Sequence, residues 1–337
     1  MYRWLIECHS SHALCRQEYS SFIPRRLLHI DLSTGTALIR LVENWQGLQA
    51  NWAPLSYVWG GEQSLKTTVT SIFDMKAGIS MERLPQTLQD AVTVCRALCL
   101  DLLWVDSLCI VQGDPDDLTR ELASIPQIYQ RAWVTISAST AASVSEGFLQ
   151  SRCYSHRKGE DRINPVPISL PYLADNSLET GEIVFVGDDD TCSDREDPIN
   201  ERAWSYQERR LSYRVLDFRR KQVILYCYTN KRCQGGGSLI DWSGDEGVIP
   251  QARLYKSFAD HQELPEWHEI VNGYATRKLS FPSDKLTALS ALANLYRQRT
   301  GYTYLAGLWK ESLVNDLCWK TGESELLPRP KEYRAPS

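Results

Sequence analysis

The chain has 337 residues, 43% hydrophobic and 23% charged, enough to bury the core of one large domain or two modest ones. A formal net charge of −5 provides no basic footprint, which argues against a nucleic-acid backbone as the main partner and leaves small ligands and proteins. No apolar run approaches the roughly 18 residues of a membrane span, and Met1-Tyr-Arg-Trp-Leu-Ile-Glu-Cys8 turns polar too soon for a signal peptide, so a cytoplasmic protein is expected.

Ten cysteines scattered without a secretory signal read as reduced thiols. At the amino terminus Trp4, Cys8, His12 and Cys15 fall on one face of an expected helix. Cys8, His12 and Cys15 have the chemistry of zinc ligands, but the spacing is not a usual finger and no fourth ligand is evident, so a packed helix face is the expectation. From Pro24 to Leu41 a hairpin is expected around the turn Asp31-Leu-Ser-Thr-Gly35.

Pro54-Leu-Ser-Tyr-Val-Trp-Gly-Gly61 is an extended aromatic segment ending in paired glycines. In a strand Tyr57 and Trp59 point to one side, where they would stack on a planar ring, and Gly60 would let the backbone approach a ligand. Leu84-Pro85 opens a helix with Leu88, Ala91, Val92, Cys95 and Cys99 on one stripe. Leu102 to Val105 reads as a strand buried on both faces and stopped by Asp106, which places Asp106, Ser107, Cys109 and Gln112 where open α/β sheets gather chemistry. Asp114-Pro-Asp-Asp117 starts the next helix, with Leu118, Leu122 and Ile125 on its apolar stripe, and Pro126 is expected to kink or end it. Trp133 to Ala138 reads as another buried strand, so the alternation implies a parallel, helix-covered sheet.

Beyond Ser139 the chain becomes small and polar, then acidic through Asp188-Asp-Asp190 and Asp194-Arg-Glu-Asp197, which reads as a solvated loop. Trp204 to Leu211 reads as a helix and Val223 to Tyr228 as a strand. Ser283 is a candidate cap for a last helix with Leu286, Leu289, Ala293 and Tyr296 in the core. Gly60-Gly61 and Gly235-Gly-Gly237 do not make a dinucleotide fingerprint, and no His-Glu-x-x-His is present.

Several motifs carry a family resemblance: Leu55-Ser-Tyr-Val-Trp-Gly60, Leu84-Pro-x-Thr-Leu88, Leu103-Trp-Val-Asp-Ser-Leu-Cys-Ile110 with Gln112, Ile128-Tyr129-x-x-Ala132, and Trp204-x-x-Gln-Glu208 with Leu211, Ser212 and Arg214. The set resembles the fungal heterokaryon incompatibility (HET) domain. It continues through Tyr274 to Leu279, Asp284 to Leu286 and Ala306 to Trp309, and family members of this kind usually extend past an Ala-Pro-Ser like 335–337.

The resemblance implies an α/β fold with a flavodoxin/TIR-like parallel sheet core flanked by helices, additional strands and a helical C-terminal part. It divides the chain into an N-terminal helix and hairpin (1–50), a HET core with an inserted acidic loop (51–215) and a C-terminal extension (216–337). It also implies cell death after fusion of unlike hyphae and, by way of NAD-cleaving TIR domains, a glutamate on the helix after a central strand. Glu121 matches that position within a pattern Asp-Trp-x-x-Glu; Asp117 fits the pattern, whereas Leu118 stands where tryptophan is common.

Cleaving the nicotinamide–ribose bond needs little more than one placed carboxylate, because the leaving group is already cationic. The expected catalytic set is Glu121 for the chemistry, with Asp106 and Cys109 shaping the site. The expected substrate-binding set is Tyr57, Trp59, Gly60, Gln112, Trp204 and Glu208. A thiol mechanism through Cys109 lacks a nearby histidine in sequence, since none lies between His29 and His156. No cofactor is expected, NAD being the substrate, and protein partners or a homo-oligomer are. A non-enzymatic signalling module and an enzyme of specialised metabolism remain as alternatives.

Overall fold

The computed structural model describes residues 1–16, 21–31, 38–45, 51–150, 168–173, 180–185, 197–220, 222–233 and 267–318. The expected turn at 32–35, the acidic runs at 188–190 and 194–196, Gly235 to Gly237 and the carboxy-terminal Ala-Pro-Ser lie outside the described residues.

The core is laid down by alternation of short buried strands with helices. β1 (Arg26–Ile30) and β2 (Leu38–Glu43) form the expected antiparallel hairpin. Then come β3 (Trp52–Ser56), β4 (Ile79–Ser80), β5 (Leu102–Trp104) and β6 (Thr135–Ser137). A separate hairpin, β7 (Ile168–Leu173) and β8 (Thr180–Phe185), precedes β9 (Arg214–Phe218), β10 (Val223–Cys227) and β11 (Lys231–Cys233). Among the described residues these strands, except β7 and β8, make one nine-stranded sheet in the order β11-β10-β9-β6-β3-β5-β1-β2-β4.

Its middle, β9-β6-β3-β5, is parallel, and every residue of those four strands is buried. Burial on both faces is what uninterrupted apolar runs favour. The outer strands pair antiparallel, so the expected parallel sheet holds for the centre and not for the flanks.

Among the described residues seven helices precede the carboxy-terminal elements: α1 (Tyr2–Ser11), α2 (Ile72–Ala77), α3 (Gln86–Ala97), α4 (Asp106–Cys109), α5 (Pro115–Gln130), α6 (Ala203–Leu211) and α7 (Trp267–Ala275), the last packed on α6. α3 buries Leu88, Ala91, Val92 and Cys95 as expected but ends before Cys99, which is exposed and takes φ 55°. Asp114 caps α5 by accepting from the amides of Asp116 and Asp117. Pro126 neither ends nor stops this helix: Ile125, Ile128 and Tyr129 are buried on both sides of it, and their packing outweighs one lost backbone bond.

The carboxy-terminal part continues with α8 (Ser290–Thr300), the small pair β12 (Tyr304–Leu305) and β13 (Leu308–Trp309), and α9 (Leu313–Asp316). Trp267, Tyr296, Tyr304 and Trp309 pack ring against ring there. Ser283 does not cap α8; its hydroxyl turns to Asp284, two short 3-10 turns intervene, and Leu286 is exposed while Leu289, Ala293 and Tyr296 are core. Among the described residues no helix is long and apolar enough to cross a membrane.

Candidate functional site

β3 and β5 run parallel, so their carboxyl ends deliver Ser56, Tyr57 and Trp59 beside Asp106 and Ser107. Asp106 begins α4, and its Oδ1 accepts the amide of Ser107 at 2.7 Å. The Trp59 indole Nε1 donates to both carboxylate oxygens of Asp106, at 3.0 and 3.2 Å. Arg202, which precedes α6, brings Nη2 within 3.3 Å of Asp106 Oδ2 and donates from Nη1 to the Tyr57 carbonyl. The Asp106 and Arg202 side chains keep 18% and 21% exposure, so this ion pair faces solvent in part.

Glu208, further along α6, lies deeper and accepts from Ser56 Oγ at 2.5 Å. Burial pushes its carboxyl above the usual range, against the Arg202 guanidinium and the Ser56 and Tyr129 hydroxyls. Burial disfavours the Arg202 cation, but Glu208 and Asp106 outweigh it and keep the guanidinium charged. Tyr57 is fully buried, donates to Ser107 Oγ at 3.0 Å and is held neutral by burial. It therefore supports the site from below, and the expected stacking face on Tyr57 does not exist.

The helix α5 presents a second charged cluster. β1 pairs antiparallel with β5, Leu28 opposite Leu103, which carries Arg26 to the region just past the β5 carboxyl end. Buried Arg26 binds Asp117, reaches Glu121 Oε1 at 3.3 Å, and donates to the Cys109 carbonyl at 2.6 Å. Asp117 also accepts the Val111 amide at 2.9 Å. The periodicity had assigned Leu118 to the inner stripe of α5; instead Asp117 and Glu121 face inward, because a buried arginine meets them there, and Leu118 is exposed. Glu121 is thus a buried ion-paired group at 3% exposure, and its carboxyl is raised by burial against the opposing pull of Arg26.

Cys109 is fully buried, and burial pushes its thiol up to about 12, so it is a protonated core group at neutral pH. The Gln112 amide donates to the carbonyls of Asp106 and Ile110 at 3.3 and 3.1 Å and so ties down the α4 turn. Gly60 takes φ +71°, and a Cβ there would stand 2.3 Å from the Ser143 Cβ; the close approach it permits is to the chain itself. Trp204 sits half-buried on the first turn of α6 against the core.

Of the expected residues, the structure brings Tyr57, Trp59, Asp106, Gln112 and Glu208 together, and sets Glu121 and Cys109 around Arg26. Arg202 is the member of this cluster that the sequence reading passed over. No local pattern marks it, because its partners Asp106 and Glu208 are brought together by packing of β5 and α6.

Near the amino-terminal end of β9, where Cys227 lies opposite Arg214, Cys8, His12 and Cys15 are joined by Cys227, and one ligand atom from each lies within 4.8 Å of all the others.

No curated protein and no solved structure matches this chain. Residues 52–208 match the family described as heterokaryon incompatibility protein (HET). That segment runs from the first residue of β3 to Glu208 and so contains Trp59, Asp106, Glu121 and Arg202. Over residues 52–208, from β3 to α6, this chain therefore carries a heterokaryon incompatibility (HET) domain.

Proposed function

We propose that this HET domain is a cell-death effector of fungal self/non-self recognition that hydrolyses NAD at the nicotinamide–ribose bond, with Asp106 as the carboxylate that meets the ribose. The observation that carries this is the solvent-facing Asp106, fixed by the Trp59 indole and Arg202 at the carboxyl ends of parallel strands. The four parallel strands stand in the spatial order second, first, third, fourth, the order of flavodoxin-like sheets, which supports a TIR-like reading of the core.

In this reading the C–N bond breaks with its electron pair leaving on nicotinamide, which departs neutral and needs no proton. The ribose cation is stabilised by the Asp106 carboxylate, water captures it, and the proton of that water passes to solvent. The indole donor and Arg202 hold the carboxylate in one orientation, and the exposed part of the Trp59 ring stacks on a base. Glu121, sealed against Arg26, shapes the wall behind the site. The active state is a homo-oligomer whose copies complete the nucleotide pocket.

The test is nicotinamide release from NAD by the purified chain over a protein dilution series. Loss of release in Asp106→Asn with folding intact supports the assignment; loss in Glu121→Gln instead moves the chemistry to α5.

One observation favours a second reading, a non-enzymatic signalling module. Ser56 and Tyr129 bond to Glu208, and Tyr57 donates to Ser107, all inside the protein, as in a purely structural network. NAD left intact at high protein concentration, in an oligomeric sample, would select it.

A further inference from the structure

We propose that Cys8, His12, Cys15 and Cys227 bind a structural zinc ion in a closed Cys3His site that fastens the amino terminus to the β10–β11 edge of the sheet. Cys8 comes from α1, His12 from the joint between α1 and the 3-10 turn Ala13–Cys15, Cys15 from that turn and Cys227 from the end of β10, and all lie outside the 52–208 segment.

The backbone is shaped for convergence. On an unbroken helix Cys8 and Cys15 would be about 10 Å apart along the axis, too far to share an ion. Instead α1 stops at Ser11, His12 turns extended at φ −99° and ψ 106°, and the tighter turn folds Cys15 back toward Cys8. The expected single helix face is therefore broken at the point where a shared centre requires it. His12 Nδ1 is 3.4 Å from Cys227 Sγ and 4.0 Å from Cys15 Sγ. A tetrahedral zinc with ordinary Zn–S and Zn–N bonds sets edges of about 3.8 Å between sulfurs and about 3.5 Å between sulfur and nitrogen. The cluster is within side-chain adjustment of that figure.

The surroundings match a metal centre better than a packed core. The Asn230 amide donates to Cys227 Sγ at 3.2 Å from the hairpin turn, and Thr229 Oγ1 lies 3.6 Å from Cys15 Sγ. An amide donor and a hydroxyl beside the sulfurs are outer contacts of the kind that hold thiolate ligands. Arg214, 1% exposed, donates from Nη2 to the Cys15 carbonyl at 2.7 Å. Three thiolates and a neutral imidazole leave zinc with one net negative charge, which a buried guanidinium offsets. Three cysteines cannot all be satisfied by a disulfide, and the three here are free thiols. With four protein ligands no position is left for water, so the role is structural.

The experiment uses the full chain purified without chelator. Elemental analysis should find one zinc per chain, and replacement by cobalt should give the thiolate charge-transfer and tetrahedral d–d bands. Cys227→Ser and His12→Ala should lose stoichiometric metal, while Cys318→Ser, an exposed cysteine, should keep it. Thr229→Ala should weaken zinc binding by roughly tenfold or more. Wild-type protein without zinc and without cobalt bands overturns the proposal, as does a native disulfide between any two of the three cysteines or a Cys227→Ser protein that keeps its metal. Should the ligand variants fail to fold, the wild-type cobalt spectrum alone decides.

Discussion

Trp59 Nε1 and Asp106 Oδ2 stand 3.0 Å apart, so an aromatic ring and a carboxylate at the ends of two parallel strands form one unit. The indole N–H, rather than the ring alone, is what holds Asp106 in place. Trp59→Phe keeps an aromatic face and removes the donor to a charged acceptor, which typically costs about 1.5–3 kcal/mol. NAD cleavage should fall by about tenfold or more with a small change in Tm. Equal cleavage by wild type and Trp59→Phe would show that the ring alone matters.

Arg26 is the keystone of the second cluster, where it faces Asp117, Glu121 and Glu43. Arg26→Met leaves buried carboxylates without their cation, a change that costs about 3–5 kcal/mol, so urea denaturation should show a much lower midpoint. Glu121→Gln should be nearly neutral, because burial already disfavours the Glu121 charge and Asp117 remains bound to Arg26. A large loss for Glu121→Gln would contradict this division of labour.

The buried carboxylates shift in opposite directions, and stability follows with opposite signs. Burial would raise Asp217, but the Arg209 and Arg219 guanidiniums and the Ser139 hydroxyl outweigh it and hold the carboxyl below its usual range. A depressed carboxylate contributes stability that is present above about pH 4 and is lost as pH falls through its folded value. Asp217→Asn should therefore lower stability at neutral pH and flatten the acid limb. Glu208 is raised, so its contribution is complete below about pH 4 and is lost as pH rises through the folded value. Relative to wild type, Glu208→Gln should gain stability between about pH 4 and pH 7. Parallel pH profiles for wild type and both variants would refute the assigned directions.

Gly60→Ala tests the join between the β3 end and the loop at Ser143. A Cβ at 2.3 Å from another Cβ, in a left-handed conformation, cannot be absorbed by a side-chain rotation. Unfolding midpoints should drop by an amount worth about 1–3 kcal/mol. Gly61→Ala, with open space around its Cβ, should lose less, its φ of +140° notwithstanding.

The strands of the parallel core were legible because continuous apolar runs such as Leu102 to Val105 leave little choice but burial on both faces. The helix at 115–130 was legible from its Asp114 cap, but its rotation was not. Hydrophobic spacing puts Leu118 inside, and only Arg26, far away in sequence, explains why Asp117 and Glu121 take that face. The same limit hid Arg202, whose partners Asp106 and Glu208 come together only when β5 and α6 are packed, and Cys227, which lies over two hundred residues from His12. Tyr57 was misjudged for a local reason. β3 ends at Ser56, so the period of two that paired Tyr57 with Trp59 on one side no longer applies.

The most direct measurement is nicotinamide release from NAD by the purified chain, wild type beside Asp106→Asn and Glu121→Gln, with thermal denaturation of each. The Asp106 account predicts release by wild type and by Glu121→Gln, and a loss of about a hundredfold or more in Asp106→Asn, the scale of one preorganised electrostatic contact. Release undiminished in Asp106→Asn would contradict it.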